Sequence, residues 1–169
     1  GVNLSLNKGE TIGIVGESGS GKSVMAKTIN RLNPVPPAVT TGQVILDGHE
    51  VFDLSMREMR QVRGTKVSMI FQEPMTSLNP VFTIGQQMSA SMRTHRGMKG
   101  RAADDRAADY LDQVGISSPR ERLKHYPHEL SGGMRQRVMI AMALSCEPML
   151  LIADEPSTAL DVTIQDQIL

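Results

Sequence analysis

Apolar residues recur along this chain with two periods that alternate from one segment to the next. Val2, Leu4 and Leu6 alternate with Asn3 and Ser5, the two-residue period of a half-buried strand. A turn at Lys8-Gly9-Glu10 leads into a short apolar run over 11–15, which reads as a second strand. The spacing then lengthens. Met25, Ile29 and Leu32 share one face of a helix predicted from about Lys22 to Leu32, stopped by Asn33-Pro34. Residues 35–41, with the Pro36-Pro37 pair, read as a surface loop. A strand over 43–46, a turn at Asp47-Gly48 and a return strand near Val51-Phe52 then form a small antiparallel β region. Ser55 and Glu58 have capping-box spacing, and Leu54 and Met59 that of a hydrophobic staple, so a short helix is predicted over 56–63, ending at Gly64. Strand character returns over 66–71.

From Thr83 to about Lys124 the pattern is helical. Ile84 and Met88 are four residues apart, and Ala103, Ala107, Leu111 and Val114 share a face. Ser118-Pro119-Arg120-Glu121 has the form of another capping box, with proline at the first helical position. The methionines of this insert read as core filler. Pro127 ends it, Ser131 is suited to cap a helix reaching about Ser145, and 149–153 is a continuous apolar run like a strand buried on both faces. Strands alternating with helices imply an α/β fold, a parallel sheet covered by helices. The sheet-bearing core is expected at 1–82 and 130–169, around a helical subdomain at about 83–129.

Composition narrows this picture. At 169 residues, with 40% apolar and 21% charged residues, the chain suits one globular domain. Eighteen basic side chains balance eighteen acidic ones, so the overall charge does not point to a nucleic-acid partner. The longest apolar runs, 138–144 and 149–153, fall far short of the ~18 residues that span a bilayer, and no basic-then-apolar leader opens the chain. A soluble, cytoplasmic protein is expected. Cys146 is the only cysteine, which excludes an internal disulfide and reads as a small buried apolar residue. The chain begins at Gly1 without an initiator Met and stops at Leu169 within a helical pattern, so it reads as a fragment.

Three stretches carry chemistry. Gly16, Glu17, Ser18, Gly19, Ser20, Gly21, Lys22 and Ser23 fit G-x-x-x-x-G-K-[ST] between a predicted strand and a predicted helix. Glycines let such a loop turn its N–H groups inward, so that a polyphosphate replaces water at a helix N-terminus. Lys22 would reach the β- and γ-phosphates, and Ser23 would ligate Mg²⁺. Asp154 and Glu155 follow the last apolar strand at its carboxyl end, where ligands of open α/β sheets gather. There Asp154 would hold the magnesium shell, while Glu155 would act as general base toward water. In Leu130-Ser131-Gly132-Gly133, Ser131 offers a hydroxyl and a cap, and Gly132 and Gly133 permit close backbone approach to a phosphate. Arg135 and Arg137, just beyond, are either a solvated face or part of a salt-bridge network. His125 and His128 stand three apart, but Pro127 breaks the helix that would align them on a metal.

These stretches, with Gln72 at a strand end and Ser157-Thr158-Ala159-Leu160-Asp161, occur in the order of the ATP-binding cassette superfamily, which the chain resembles over nearly its whole length. The resemblance implies a P-loop NTPase of RecA-like fold. It also implies that Gln72 touches Mg²⁺ and senses the membrane subunits, and that Asp161 lies in a loop linking the two nucleotide sites of a dimer. The LSGG turn of one subunit would close over ATP held by the other. Phe71-Gln72-Glu73-Pro74-Met75-Thr76-Ser77-Leu78-Asn79-Pro80 and Tyr126-Pro127-His128-Glu129-Leu130 resemble the oligopeptide and dipeptide importer branch, which includes nickel uptake systems. Ser157, where that branch often has Thr, departs from it. The family's adenine-stacking aromatic would precede Gly1 and its switch histidine would follow Leu169.

The implied function is an ATPase subunit that powers an importer. Its partners would be a second ATPase subunit, identical or paralogous, the permease subunits and, indirectly, a substrate-binding protein, with no nucleic acid. It would sit peripherally on the cytoplasmic face of the membrane. The competing expectation is a soluble cassette ATPase without a permease, acting on nucleic acid or ribosomes; the neutral charge and the 71–80 stretch oppose it. These 169 residues alone are expected to hydrolyse little.

Overall fold

In the computed structural model, which describes residues 1–35, 37–71 and 77–155, the chain divides into one unit over Gly1–Asp53 and a second that begins at Leu54. The first helix, α1 (Lys22–Ile29), is shorter than its sequence pattern suggests. Arg31 takes a left-handed conformation (φ 51°), and the Asn33 amide donates back to the Val24 carbonyl at 3.1 Å and the Thr28 hydroxyl at 2.7 Å, which closes the helix early. Strands β1 (Ile45–Leu46) and β2 (His49–Glu50) pair antiparallel, Ile45 opposite Glu50. Asp47 (φ 50°) and Gly48 (φ 78°) form the two-residue turn that a right-twisted hairpin requires.

Two expectations for this unit are corrected. The return strand near Val51 ends earlier, because the Glu50 carboxylate accepts from the amides of Val44 (3.0 Å) and Phe52 (3.2 Å) and Val51–Asp53 turns into a 3₁₀ helix. Among the described residues, segments 2–6 and 11–15 form no ladder, and Val15 is 96% exposed. A two-residue apolar period becomes a strand only when a neighbouring chain supplies ladder partners, and the one ladder described in this unit is β1–β2. The turn between the two segments does form, with Glu10 N–H donating to the Asn7 carbonyl at 3.1 Å.

The second unit holds α2 (Met56–Thr65), β3 (Val67–Ile70), α3 (Ile84–Arg96), α4 (Arg101–Gln113), α5 (Pro119–Arg122), α6 (Gly132–Leu144) and β4 (Leu150–Ala153). The capping box of α2 forms as expected: Ser55 Oγ accepts from Glu58 N–H, and the Glu58 carboxylate accepts from Ser55 N–H at 2.8 Å. The helix proper closes at Gly64 (φ 91°). The box expected at Ser118 does not form. Ser118 sits at φ 53° with no side-chain cap, and its main-chain carbonyl accepts from Glu121 and Arg122 instead. A capping box over Thr83-x-x-Gln86 starts α3.

Strands β3 and β4 are parallel, with Val67 opposite Leu150 and Ile70 opposite Ala153. Helices α2 and α6 pack on β3. Strand β4 is only half covered and alternates along its length, with Leu151 39% exposed, so the expectation of burial on both faces is corrected. The core gathers Ile84, Met88 and Met92 of α3, Ala103, Ala107 and Leu111 of α4, Val138, Ile140 and Ala141 of α6, and Ile70. These methionines are fully buried filler, and Cys146 is buried as its sequence context implied.

Candidate functional site

The loop over 16–23 runs directly into α1 and folds around its own lysine. The Lys22 ammonium donates to the carbonyls of Gly16 (2.7 Å) and Glu17 (2.9 Å), and Ser20 N–H donates to the Glu17 carbonyl at 3.2 Å. Gly19 (φ 79°) and Gly21 (φ 95°) take left-handed conformations in which a side chain costs roughly 1 kcal/mol or more. Gly21 also caps α1, so Lys22 and Ser23 occupy its first turn. A curled main chain, a helix N-terminus and one ammonium thus converge, the arrangement that holds a polyphosphate.

The carboxylates lie in the second unit, at the carboxyl end of β4. Asp154 is 8% exposed, and its N–H donates to the Ile70 carbonyl at 3.0 Å, which pins it beside the end of β3. Glu155 is exposed and sits at φ 51°, a conformation that costs a non-glycine residue about 1 kcal/mol or more. Gln72, two residues past Ile70, lies outside the described residues, as does Asp161.

Ser131 caps α6 as expected, its hydroxyl accepting from Met134 N–H at 3.3 Å. Arg135 reaches back from the first turns of α6 to donate to the carbonyls of Leu130 (2.9 Å) and Pro127 (3.4 Å), and Arg137 donates to the Gly115 carbonyl at 3.0 Å. Both arginines brace main chain, a role that local sequence did not reveal because the carbonyls they reach carry no sequence mark. A Cβ built on Gly132 meets no atom within 4 Å, and the residue has no left-handed φ. Among the described residues, neither packing nor backbone conformation asks for glycine there.

The loop residues are thus together in the first unit, and Asp154, Glu155, Ser131, Gly132 and Gly133 are in the second. Helix α6 enters the connector over 145–149 and β4 leaves it, so Ser131 and Asp154 each occupy the end distant from that connector. Each unit carries a hard oxygen donor of the kind suited to Mg²⁺, the Ser23 hydroxyl in the first and the Asp154 carboxylate in the second. His125 Nδ1 lies 3.2 Å from Arg122 Nη1, and His128 stacks on Tyr126 with ring centroids 5.6 Å apart. Among the described residues no group of three or more His, Cys, Asp or Glu could hold a metal ion, and no helix is long and apolar enough to cross a membrane.

The chain is similar to several known proteins. The chain is 54% identical over 170 residues to the oligopeptide transport ATP-binding protein OppD of Bacillus subtilis, covering 100% of this chain and 48% of OppD. It is 54% identical to the dipeptide transport ATP-binding protein DppD of the same organism, covering 51% of that protein. It is 57% identical over 174 residues to the glutathione import ATP-binding protein GsiA of Salmonella typhimurium, covering 99% of this chain and 28% of GsiA. The chain spans about half the length of the first two of these relatives. The fold is similar to that of a solved post-hydrolysis dimer of the ATP-binding cassette MJ0796 bound to ADP and Pi, with a TM-score of 0.87 and 34% identity over 99% of this chain and 69% of that one. The expected P-loop NTPase fold, α/β with a small antiparallel region, is therefore the fold of this chain. A model of the ABC transporter family matches residues 1–158, and on that match the chain belongs to the ABC transporter family.

Proposed function

We propose that this chain is the ATP-binding and ATP-hydrolysing part of a subunit that powers an importer of dipeptides, oligopeptides or related cargo such as nickel. The observation that carries the reading is the loop over 16–23, closed on the Lys22 ammonium at 2.7 and 2.9 Å and opening straight into α1. The relatives named for oligopeptide, dipeptide and glutathione transport support the cargo class.

In this reading Gly16, Glu17, Ser18, Gly19, Ser20, Gly21 and Lys22 bind the triphosphate through main-chain amides and one ammonium. Ser23, Gln72 and Asp154 would supply oxygens for Mg²⁺, which when bound would neutralise phosphate charge. Glu155 accepts the proton of the water that attacks the γ-phosphorus, and ADP leaves with phosphate. Glu155 is exposed on a left-handed backbone while Asp154 is buried, consistent with two adjacent acids doing different work.

Ser131, Gly132 and Gly133 of a second, identical or paralogous subunit cover the far side of the nucleotide. The open space at Gly132 among the described residues is consistent with this, since it leaves room for a phosphate to approach the main chain there. Asp161 links the two sites of the dimer, and Gln72 senses the permease. The helices over about 83–129 serve as the helical subdomain. The assembly sits on the cytoplasmic face of the membrane, takes cargo through a substrate-binding protein and uses no nucleic acid. ATP binding and hydrolysis act as a population switch between joined and parted dimers.

The test is Lys22→Ala in the complete protein, with bound nucleotide and phosphate release both measured. Loss of both is expected. Retained Mg-ATP hydrolysis would remove the site assignment.

A further inference from the structure

Arg135, in the first turns of α6, folds its side chain back past the start of its own helix. Its Nη1 donates to the Leu130 carbonyl at 2.9 Å and the Pro127 carbonyl at 3.4 Å, while its main-chain N–H donates to the Ser131 carbonyl at 2.9 Å. The side chain is half-buried, its Nε is enclosed without a partner, and among the described residues no carboxylate pairs with it. The well-paired acid of this unit, Glu147, follows the other end of α6, where it holds Arg96 Nη1 (2.9 Å) and Arg106 Nη2 (2.8 Å). A guanidinium is thus partly desolvated on carbonyls alone, near a helix N-terminus whose first turn carries no acidic residue. Both features oppose the helix. Burial without a counter-charge is costly, and a cation suits the other end of the macrodipole.

What Arg135 holds is the approach to Ser131. Residues 126–131 are also stitched locally: Tyr126 N–H donates to the Glu129 carboxylate at 2.6 Å, Leu130 N–H to the Pro127 carbonyl at 3.2 Å, and the Ser131 hydroxyl accepts from Met134 N–H at 3.3 Å. The Leu130 side chain, 4% exposed, anchors the segment in the core. None of these contacts engages the peptide unit between Leu130 and Ser131, whose rotation changes ψ of Leu130 and φ of Ser131 together. The carbonyl of that unit is the atom Arg135 takes at 2.9 Å.

We propose that Arg135 is a positioning residue for the shared nucleotide site: it locks the Leu130–Ser131 peptide so that the Ser131 hydroxyl and the amides of Gly132 and Gly133 present one fixed face to the triphosphate held by the other copy. The inference rests on the two-copy reading of the preceding subsection and adds to it the residue that sets the geometry of that face. Its charge acts in the same direction. An anion arriving at the start of α6 supplies the counter-charge that the helix N-terminus and the guanidinium lack. Arg135 itself touches no nucleotide, and the loop over 16–23 belongs to the other unit of the chain, so one copy's own grip on Mg-ATP does not depend on it.

The experiment uses the complete protein and compares Arg135→Met, which keeps the apolar stem, with Arg135→Lys, which keeps the charge and donors for the two carbonyls. Each is made alone and beside Glu155→Gln. The readouts are the Mg-ATP affinity of the dilute protein, the protein concentration at which Mg-ATP drives the Glu155→Gln form into dimers, hydrogen exchange over 127–134, and the melting temperature. Arg135→Met is expected to weaken Mg-ATP-driven dimerisation about tenfold, the size of a lost charge-assisted bond, and to speed exchange over 127–134. Its Mg-ATP affinity when dilute and its melting temperature should stay close to the parent's, and Arg135→Lys should recover most of the dimerisation. Parental dimerisation in Arg135→Met overturns the proposal, and so does a loss that Arg135→Lys fails to lessen or that follows the melting temperature. A Glu155→Gln protein that stays monomeric in Mg-ATP would instead strike the two-copy reading itself, so the two failures are distinct.

Discussion

At the scale of single residues, the chain separates those whose identity serves its own fold from those whose identity does not. Gly21 serves its fold through a left-handed cap at φ 95° that starts α1, and in the proposed function the same loop would hold a phosphate. Among the described residues Gly132 meets no local need, having open space and an ordinary φ. Glu147 belongs to the fold, and its linkage to pH has a definite sign. Its folded value is depressed below the ordinary 4.5 by Arg106, Arg96 and Tyr110, so its contribution is complete above 4.5 and is lost as the pH falls through the depressed value. Denaturant melts of parent and Glu147→Gln are expected to show a stability gap at neutral pH that narrows once the pH drops below about 4.5. A gap that stayed constant into that range would place the carboxylate outside the ion-pair network. Ser131 was legible in the sequence because a cap acts on the amides two and three residues ahead. Glu147 was not, because Arg106 and Arg96 lie 41 and 51 residues away.

At the scale of elements, what the sequence encoded locally came through and what needed distant partners did not. The α2 box at Ser55 and Glu58, the Asp47-Gly48 turn and the start of α6 are each fixed by contacts a few residues apart. Residues 2–6 and 11–15 have the period of strands, yet a ladder is a property of two segments, and none forms for them among the described residues. Ser118 shows the opposite limit: the right letters at the right spacing, with a left-handed backbone that turns the hydroxyl away from the cap. The box at Thr83 gives a local prediction. Thr83→Ala removes the acceptor for Gln86 N–H and is expected to cost about 1 kcal/mol in urea unfolding. An unchanged midpoint would show that α3 is held by packing and by its bonds to Leu123 and His125 alone.

At the scale of the whole molecule, the loop around Lys22 and the carboxylates around Asp154 belong to different units of the chain, and a helix cap with a vacant glycine face belongs with the second. A site shared between two copies gives the open face at Gly132 a phosphate to meet, and that sharing is the central claim. It is tested most directly by the solution mass of the complete Glu155→Gln protein in saturating Mg-ATP, with and without Gly132→Asp. A Cβ at the first position of α6 meets no described atom within 4 Å, and an aspartate suits the helix N-terminus, so the fold should be kept. Across a dimer it would face a triphosphate. The account predicts a dimer for Glu155→Gln and a nucleotide-loaded monomer once Gly132→Asp is added; a monomer in the first case, or an undiminished dimer in the second, would contradict it.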